Sequence, residues 1–235
     1  MATSRPRPRA VIFDLYGTLV PFSFAEFDTH LAATAARLGV PTADYAERLE
    51  DDYKLVETGQ ITLEALLERT AVRCGITPTP DAIAAGVRNW HAFQATQMRP
   101  FDDAWVILKH VRAAGLPIGL ISNAPPPVHE LWAAHELAQW FDATAFSYVE
   151  GMRKPAPELY TRMATALGVA PEHCLFVGDG SAGELQGAEA VGMRAVLIHR
   201  AGEPDSNDER YGRVAWAGPS VPSLEYLAAH LEEPC

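Results

Sequence analysis

Short apolar runs alternate with longer amphipathic stretches along most of the chain. Four runs have the length and β-branched content of buried strands, and a fifth is weaker. The four are residues 9–13, 117–121, 173–177 and 194–198, and the fifth is 144–147. The stretch after Asp102 is typical of the predicted helices, since Asp102 stands where an N-cap is expected and Gly115 follows the last apolar position. This alternation predicts an α/β fold, with a parallel sheet flanked by helices.

One long interval between the first two strands contains no comparable apolar run. It reads instead as four successive helices, separated by glycine- and proline-containing turns. They are expected at about 23–38, 44–57, 62–74 and 81–95. The pattern predicts an all-helical insertion after the first strand. Near the end of the chain, residues 201–212 are polar and rich in turn formers, so we expect a loop there, before a last helix near 223–231.

Composition limits the partners of the protein. Nineteen basic and 30 acidic residues give a formal net charge of −11, which repels the phosphate backbone of nucleic acids. There is no run of the roughly 18 apolar residues that a membrane helix needs. The three cysteines, Cys74, Cys174 and Cys235, are far apart and predict no disulfide framework. We therefore expect a soluble cytoplasmic protein, monomer or homodimer, with a small-molecule substrate and no nucleic-acid or membrane partner.

Polar residues of a particular kind follow three of the predicted strands. Asp14 follows the first strand, Ser122 and Asn123 follow the second, and Asp179 comes after Gly178 at the end of a later one. Any one of them alone is more typical of a turn or a helix cap. In a parallel sheet, however, the carboxyl ends of the strands share one edge, where ligands bind. Together the three therefore predict a site on that edge.

These residues belong to four motifs that resemble those of the haloacid dehalogenase superfamily. The motifs are the sequence from Asp14 to Leu19, Ser122-Asn123, Lys154-Pro155, and Gly178-Asp179 followed by Glu184. The resemblance implies a hydrolase that works through a covalent intermediate on an aspartate. It also implies a Rossmann-like core of residues 1–21 and 98–235. The helical insertion, residues 22–97, is then the small cap domain of that family.

The chemistry of the residues fits these roles. Asp14 is the expected nucleophile, because a carboxylate can attack in line and split one displacement into two steps. Lys154, ahead of a helix expected to start at Pro155, offsets the charge on Asp14 and on a bound phosphate. Hydrogen bonds to the transferring group are expected from three residues. They are Thr18, Ser122 and Asn123.

A divalent cation is expected at the same edge. Asp14 and Asp179 bring two carboxylates together, and Mg²⁺ prefers such oxygen ligands with water and substrate phosphate. The resemblance implies a third ligand, the backbone carbonyl of Tyr16. Glu184 matches the second acid of the fourth motif, and we expect it to orient a metal-bound water without touching the metal.

Tyr16 departs from the pattern of most phosphatases in the superfamily. Those enzymes have an aspartate there, which serves as general acid and base. The L-2-haloacid dehalogenases share the Asp-x-Tyr-Gly-Thr sequence, and their halide leaves without a proton. Asp179 and Glu184 instead favour a phosphatase. They predict a metal site, and a metal site has little use in halide displacement. On balance the sequence favours a Mg²⁺-dependent phosphatase acting on a small phosphorylated metabolite, with a metal-independent 2-haloacid dehalogenase as the alternative.

Two interpretations from other classes remain. Residues 178–183 fit the GxGxxG pattern of a dinucleotide-binding turn, between a strand and a helix. Against this, Asp179 would press a negative charge toward the pyrophosphate, and the next strand ends at His199 and Arg200 with no acid for a ribose. The other interpretation is a binding protein that has lost turnover through Tyr16.

Overall fold

One parallel sheet organises the molecule. The structure, a computed structural model, describes residues 7–200 and 214–231. Within them six strands lie side by side in the order β3-β2-β1-β4-β5-β6, and every neighbouring pair is parallel. The strands are β1 Ala10–Phe13, β2 Ile118–Ser122, β3 Ala143–Phe146, β4 Cys174–Gly178, β5 Arg194–Ile198 and β6 Ser220–Val221. The predicted α/β class and its five strands are confirmed. β6 has two residues, too few to form a pattern.

Ten α-helices surround this sheet in the described residues. Four of them form the predicted helical insertion after β1: α1 Phe24–Leu38, α2 Thr42–Glu57, α3 Leu63–Arg73 and α4 Pro80–Gln97. The others are α5 Asp102–Ala113, α6 Pro126–Trp132, α7 Ser147–Glu150, α8 Pro157–Ala166, α9 Glu184–Ala190 and α10 Leu224–His230. Among these helices none has both the length and the apolar composition needed to cross a membrane. The loop expected at residues 201–212 lies outside the described residues.

Two helix starts differ from the sequence expectation. Asp102 is the first residue of α5 and not its N-cap, which is Phe101. The Phe101 amide donates to the carbonyl of Leu19 at 2.9 Å, and this bond ties Phe101 to the β1 side of the sheet, where it stays extended. Helix α8 starts at Pro157 and not at Pro155. A residue before proline is pushed out of the helical region, so Ala156 is extended and serves as the N-cap.

The sheet is buried on both faces, which explains its continuous apolar strands. Along β1 the side chains alternate between two cores: Val11 and Phe13 pack in the one that contains α5 and α10 residues. Ala10 and Ile12 pack in the other, which contains residues of α8 and α9. β1 lies between β2 and β4. The ends of these three strands, which carry the predicted site, are therefore adjacent.

The segment α1–α4 has a hydrophobic core of its own. Trp90 is fully buried in it, and His30 stacks on the ring of Phe93 at 4.4 Å. The segment also contacts the rest of the molecule, since α4 packs on α6 and α2 packs on α7. At Gly59, after α2, a Cβ would lie only 2.6 Å from the carbonyl oxygen of Tyr148. The helical segment is thus closely seated on the sheet-containing part.

The buried His30 predicts a pH dependence of stability. Burial lowers the pKa of His30 to about 4, and nearby Arg37 adds to the shift. An unfolded histidine titrates near pH 6.5, so between these values only the unfolded chain takes up the proton. Stability therefore falls as the pH drops below about 6.5, by roughly 2 kcal/mol at about pH 5 from this group. His30→Gln should remove that part of the loss, measured as unfolding free energies in denaturant at both pH values.

His129→Gln is the matched control, because His129 is exposed on α6. This variant should lose as much stability on acidification as the unmodified protein. If His30→Gln also keeps the full loss, then His30 is not the group that destabilises the folded state at low pH.

Candidate active site

Asp14, Ser122 and Asp179 meet at the carboxyl edge of the sheet, as the strand ends predicted. The Asp14 amide donates to the carbonyl of Val177 on β4 at 2.9 Å, which extends the β1–β4 ladder to the first residue beyond the strand. Asp14 and Asp179 are each 3% exposed and Ser122 is 1% exposed. Three polar side chains are therefore held in a buried position by regular strand pairing.

A third carboxylate joins the two aspartates. Oxygen atoms of Asp14, Asp179 and Glu184 all lie within 4.8 Å of one another. Glu184 is the first residue of α9 and is fully buried. Burial raises the pKa of both Asp14 and Glu184, and the neighbouring carboxylates raise it further. A cluster of this kind stays ionised only when cations are close to it.

Lys154 supplies one of these cations. Its Nζ donates to Asp14 Oδ1 and, at 2.5 Å, to Glu184 Oε2, and the side chain is 2% exposed. Burial alone would lower the pKa of Lys154, but the charges of Asp14 and Glu184 outweigh it and raise the pKa above its ordinary value. The ammonium group is therefore permanently charged. The ammonium group thus offsets charge on two of the three carboxylates of the cluster.

The carboxylate cluster fits a bound Mg²⁺. The donor set is made of oxygen atoms, which Mg²⁺ prefers. Glu184 is engaged elsewhere: Oε1 accepts from the Gly180 amide at 3.0 Å, while Oε2 accepts from Lys154. Asp14 and Asp179 are therefore the side chains best suited to hold the metal, and Glu184 the one that orients groups around it.

Glycines allow these carboxylates to approach the backbone closely. At Gly17 the backbone has φ +75°, and a Cβ would lie 2.5 Å from Asp179 Oδ2. At Gly178 a Cβ would lie 2.0 Å from Glu184 Oε1. A side chain at either position would displace a carboxylate, so glycine is required for the geometry of the cluster.

The predicted hydrogen-bonding residues occupy different positions. Thr18 donates to Asp14 Oδ2 at 3.4 Å. The Ser122 hydroxyl is buried and makes no hydrogen bond with any described residue, so it is available to a ligand. Asn123 instead holds the chain at Lys154: its Oδ1 accepts from the Lys154 amide at 2.8 Å, and its Nδ2 donates to the Lys154 carbonyl at 3.4 Å. In this structure Asn123 positions Lys154.

Tyr16 turns toward the helical segment. Its hydroxyl donates to Gln94 Oε1 on α4 at 2.7 Å. Burial raises the pKa of Tyr16 far above its ordinary value, and the charge of Asp14 adds to the shift. The phenol is therefore neutral, and its proton is already used in a hydrogen bond. Tyr16 is poorly suited to protonate a leaving group.

Two residues that the motifs did not point to support the site. Gln94 is 5% exposed and lies one turn after Trp90 on α4. A polar residue on the buried face of a helix was the only feature of the sequence that could have indicated its role. Arg200 donates to the Thr18 carbonyl at 3.0 Å and to Asp103 at 2.7 Å, and its guanidinium lies 3.9 Å from the centre of the Phe101 ring. It thus anchors the loop that carries Thr18.

Two amides of the loop at residues 178–183 are already engaged in hydrogen bonds within the protein. The Gly180 amide donates to Glu184, and the Ser181 amide donates to Asp179 Oδ1 at 2.9 Å. Both amides are thus occupied by the carboxylates of the protein itself. This arrangement argues against a dinucleotide-binding turn.

Comparison with known proteins agrees with this geometry. A family model described as haloacid dehalogenase-like hydrolase matches residues 8–192. The chain belongs to this family. One relative of this haloacid dehalogenase-like hydrolase is a glyceraldehyde 3-phosphate phosphatase from Methanopyrus kandleri, 28% identical over 213 residues, which are 86% of this chain and 90% of the relative.

Solved structures of the same fold include dehalogenases and another enzyme of the haloacid dehalogenase family. A 2-haloacid dehalogenase from Pseudomonas syringae pv. Tomato superposes with a TM-score of 0.69 at 22% identity, covering 95% of this chain and 98% of the other. A haloacid dehalogenase family enzyme from Bacteroides thetaiotaomicron, crystallised with magnesium and inorganic phosphate, has a TM-score of 0.61 at 18% identity, covering 85% and 97%. At these identities the likeness concerns the fold.

The close approach of Gly17 to Asp179 predicts the effect of a single methyl group. Gly17→Ala adds a Cβ at a left-handed backbone position and forces it against Asp179. Gly39→Ala is the matched control, since Gly39 has φ +72° and nothing within 4 Å of the added Cβ. We expect the control to lose about 1–2 kcal/mol of unfolding free energy from backbone strain alone. Gly17→Ala should lose clearly more, and equal losses in chemical denaturation would contradict the proposed contact.

Proposed function

We propose that this hydrolase is a Mg²⁺-dependent phosphatase acting on a small phosphorylated metabolite. The observation that carries the proposal is the buried cluster of the Asp14, Asp179 and Glu184 carboxylates, whose oxygen atoms lie within 4.8 Å of one another, with Lys154 in contact with two of them. Halide displacement needs no such cluster, whereas phosphoryl transfer depends on neutralising charge around the phosphate. The name of the Methanopyrus kandleri relative supports the same choice.

In the proposed reaction, Asp14 is the nucleophile. One of its carboxylate oxygens forms a bond to phosphorus while the bond from phosphorus to the ester oxygen breaks, and the leaving group takes that electron pair. Water then attacks the aspartyl phosphate, releases inorganic phosphate and restores the carboxylate. Lys154 holds Asp14 ionised and oriented, and Thr18 and Ser122 offer hydroxyl groups to the phosphate oxygens.

The metal would be held by the carboxylates of Asp14 and Asp179 and the backbone carbonyl of Tyr16. When bound, Mg²⁺ supplies positive charge that offsets the charge of the phosphate. Glu184 fixes Lys154 and the Gly180 amide beside it. Asn123 fixes the backbone of Lys154 from the other side.

We also propose that residues 22–97 form a cap domain, and residues 1–21 and 98–235 the core. The separate hydrophobic core of α1–α4 supports this division. The hydrogen bond that Tyr16, in the first motif, donates to Gln94 on α4 supports it as well. A substrate enclosed between these two parts is a small molecule.

A metal-independent 2-haloacid dehalogenase is the second candidate. It is favoured by Tyr16, because a site without a proton donor suits a halide, which leaves as a stable anion. The Pseudomonas syringae structure supports it at the level of the fold. The two candidates share the nucleophile Asp14 and differ in whether activity needs a metal.

A panel of phosphate esters and 2-haloacids, assayed with Mg²⁺ and with EDTA, separates these candidates. We expect release of inorganic phosphate with Mg²⁺. In EDTA this activity should be lost, since the carboxylates of the site then repel the phosphate group of the substrate. Release of halide in EDTA would instead establish the dehalogenase. Asp14→Asn should abolish hydrolysis without unfolding the protein, and activity that survives in this variant would exclude the covalent mechanism.

The engaged hydroxyl of Tyr16 predicts which esters react fastest. Without a general acid, a contribution of about 10²–10⁴ in rate is missing for leaving groups that need a proton. We expect kcat/KM to rise steeply as the leaving-group pKa falls, so that acyl and aryl phosphates exceed alkyl phosphates. Tyr16→Phe should keep this steep dependence. A flat dependence in the unmodified protein, or a dependence that steepens only in Tyr16→Phe, would show that Tyr16 donates a proton.

A further inference from the structure

An unusual ion pair joins the helical segment to the core next to the site. Glu57 is the last residue of α2, and Arg153 directly precedes Lys154. Arg153 Nη2 lies 3.3 Å from Glu57 Oε2, and the side chains are 29% and 7% exposed. A charged pair buried to this degree at a boundary is costly unless its remaining polar atoms are satisfied.

These polar atoms are not satisfied within the part of the chain that the structure describes. The angles of the contact do not meet those of a hydrogen bond, so Glu57 Oε2 has no hydrogen-bond donor. Arg153 Nε is likewise buried and has no acceptor. One acceptor and one donor thus lie side by side on the same ion pair, each with an unmade hydrogen bond. Leaving such groups unpaired is unfavourable, so a ligand that pairs with them gains binding energy.

The pair belongs to the same space as the catalytic residues. Burial raises the pKa of Glu57, while the charges of Arg153 and then Lys154 lower it, so the Lys154 ammonium is close enough to act on Glu57. Tyr53 lies one turn earlier on α2. Burial raises the pKa of Tyr53 well above its ordinary value, with further contributions from Glu57 and Tyr16. These residues therefore surround one region between the helical segment and the sheet edge.

We propose that Glu57 and Arg153 bind a hydroxyl group on the leaving part of the substrate, so that the preferred substrates are hydroxylated phosphate esters. This inference rests on the proposed phosphatase function. A hydroxyl is both donor and acceptor, and one such group donates to Glu57 Oε2 and accepts from Arg153 Nε. A single substrate hydroxyl can therefore satisfy both atoms at once.

Other substituents fit this pair less well. A carboxylate accepts from Arg153 but meets the negative charge of Glu57, and it has no proton to donate. An ammonium group donates to Glu57 but is repelled by Arg153. An alkyl group leaves both polar atoms unpaired. The pair thus selects a neutral polar group, and it disfavours substrates with a carboxylate, including 2-haloacids.

The test compares aryl phosphates that differ in one substituent. The probes are 3- and 4-(hydroxymethyl)phenyl phosphate, the two matching ethylphenyl phosphates of equal size, and 4-carboxyphenyl phosphate. Leaving-group pKa is similar within each hydroxymethyl and ethyl pair, so a general acid is not what separates them. We expect at least one hydroxymethyl ester to exceed its ethyl partner in kcat/KM by roughly tenfold to a hundredfold, the range given by hydrogen bonds to charged groups.

Glu57→Gln and Arg153→Lys should each remove most of this preference. The matched control is Glu150→Gln, which alters an ion pair of similar length, 3.2 Å to Arg162, at another place on the core. The control should keep the preference in full. Equal kcat/KM for both members of each pair in the unmodified protein would overturn the proposal, and so would a preference that persists in Glu57→Gln or a better rate for the carboxylate.

A binding measurement separates this proposal from the phosphatase proposal. Calorimetric titration of Asp14→Asn with the same esters and Mg²⁺ reports recognition without turnover. If no ester is hydrolysed but the hydroxymethyl esters bind more tightly in a way that depends on Glu57, the phosphatase proposal fails and the hydroxyl site stands. If esters are hydrolysed without any hydroxyl preference in rate or binding, the hydroxyl site fails and the phosphatase proposal stands.

Discussion

The buried contact of Lys154 with Asp14 and Glu184 is the interaction on which the rest of the site depends. Each of these charged groups would be costly to bury alone, and together they offset much of that cost. The contact is possible only because three separate pieces of chain are fixed around it. Asp14 directly follows β1, Glu184 is the first residue of α9, and Asn123 Oδ1 accepts a hydrogen bond from the Lys154 amide. The parallel sheet therefore acts as the frame that brings distant charges together.

The packing of the helical segment on the core has a different physical basis from the assembly of the sheet edge. The edge is held by strand pairing and buried charge, whereas the helical segment is held by a few polar contacts and by close packing. Gln94 accepts from Tyr16, Glu57 faces Arg153, and Gly59 meets the backbone of Tyr148. Contacts of this kind are easier to exchange for contacts with a ligand. This division suits an enzyme whose catalytic residues are held rigidly and whose substrate-binding contacts can change.

The hydrophobic and polar pattern of the chain predicted the structural features that local sequence determines. The five longer strands, the four inserted helices and the convergence of Asp14, Ser122 and Asp179 follow from periodicity and from the geometry of parallel sheets. The start of α8 did not follow, because Pro157 overrode the expected start at Pro155. The partners of Tyr16 and Arg153 also did not follow. Both contacts cross between the helical segment and the core, and nothing local in the sequence determines how two such parts dock.

Tyr16 connects the catalytic edge of the sheet to the helical segment. An aspartate at this position would add a fourth carboxylate next to the three of the buried cluster. A tyrosine adds no charge, and its hydroxyl reaches across to Gln94. Compared with an aspartate, Tyr16 therefore provides a neutral contact between the helical segment and the core in place of a proton donor. In the proposed phosphatase, such a site would keep the carboxylates that hold the metal, and it would favour leaving groups that are stable as anions.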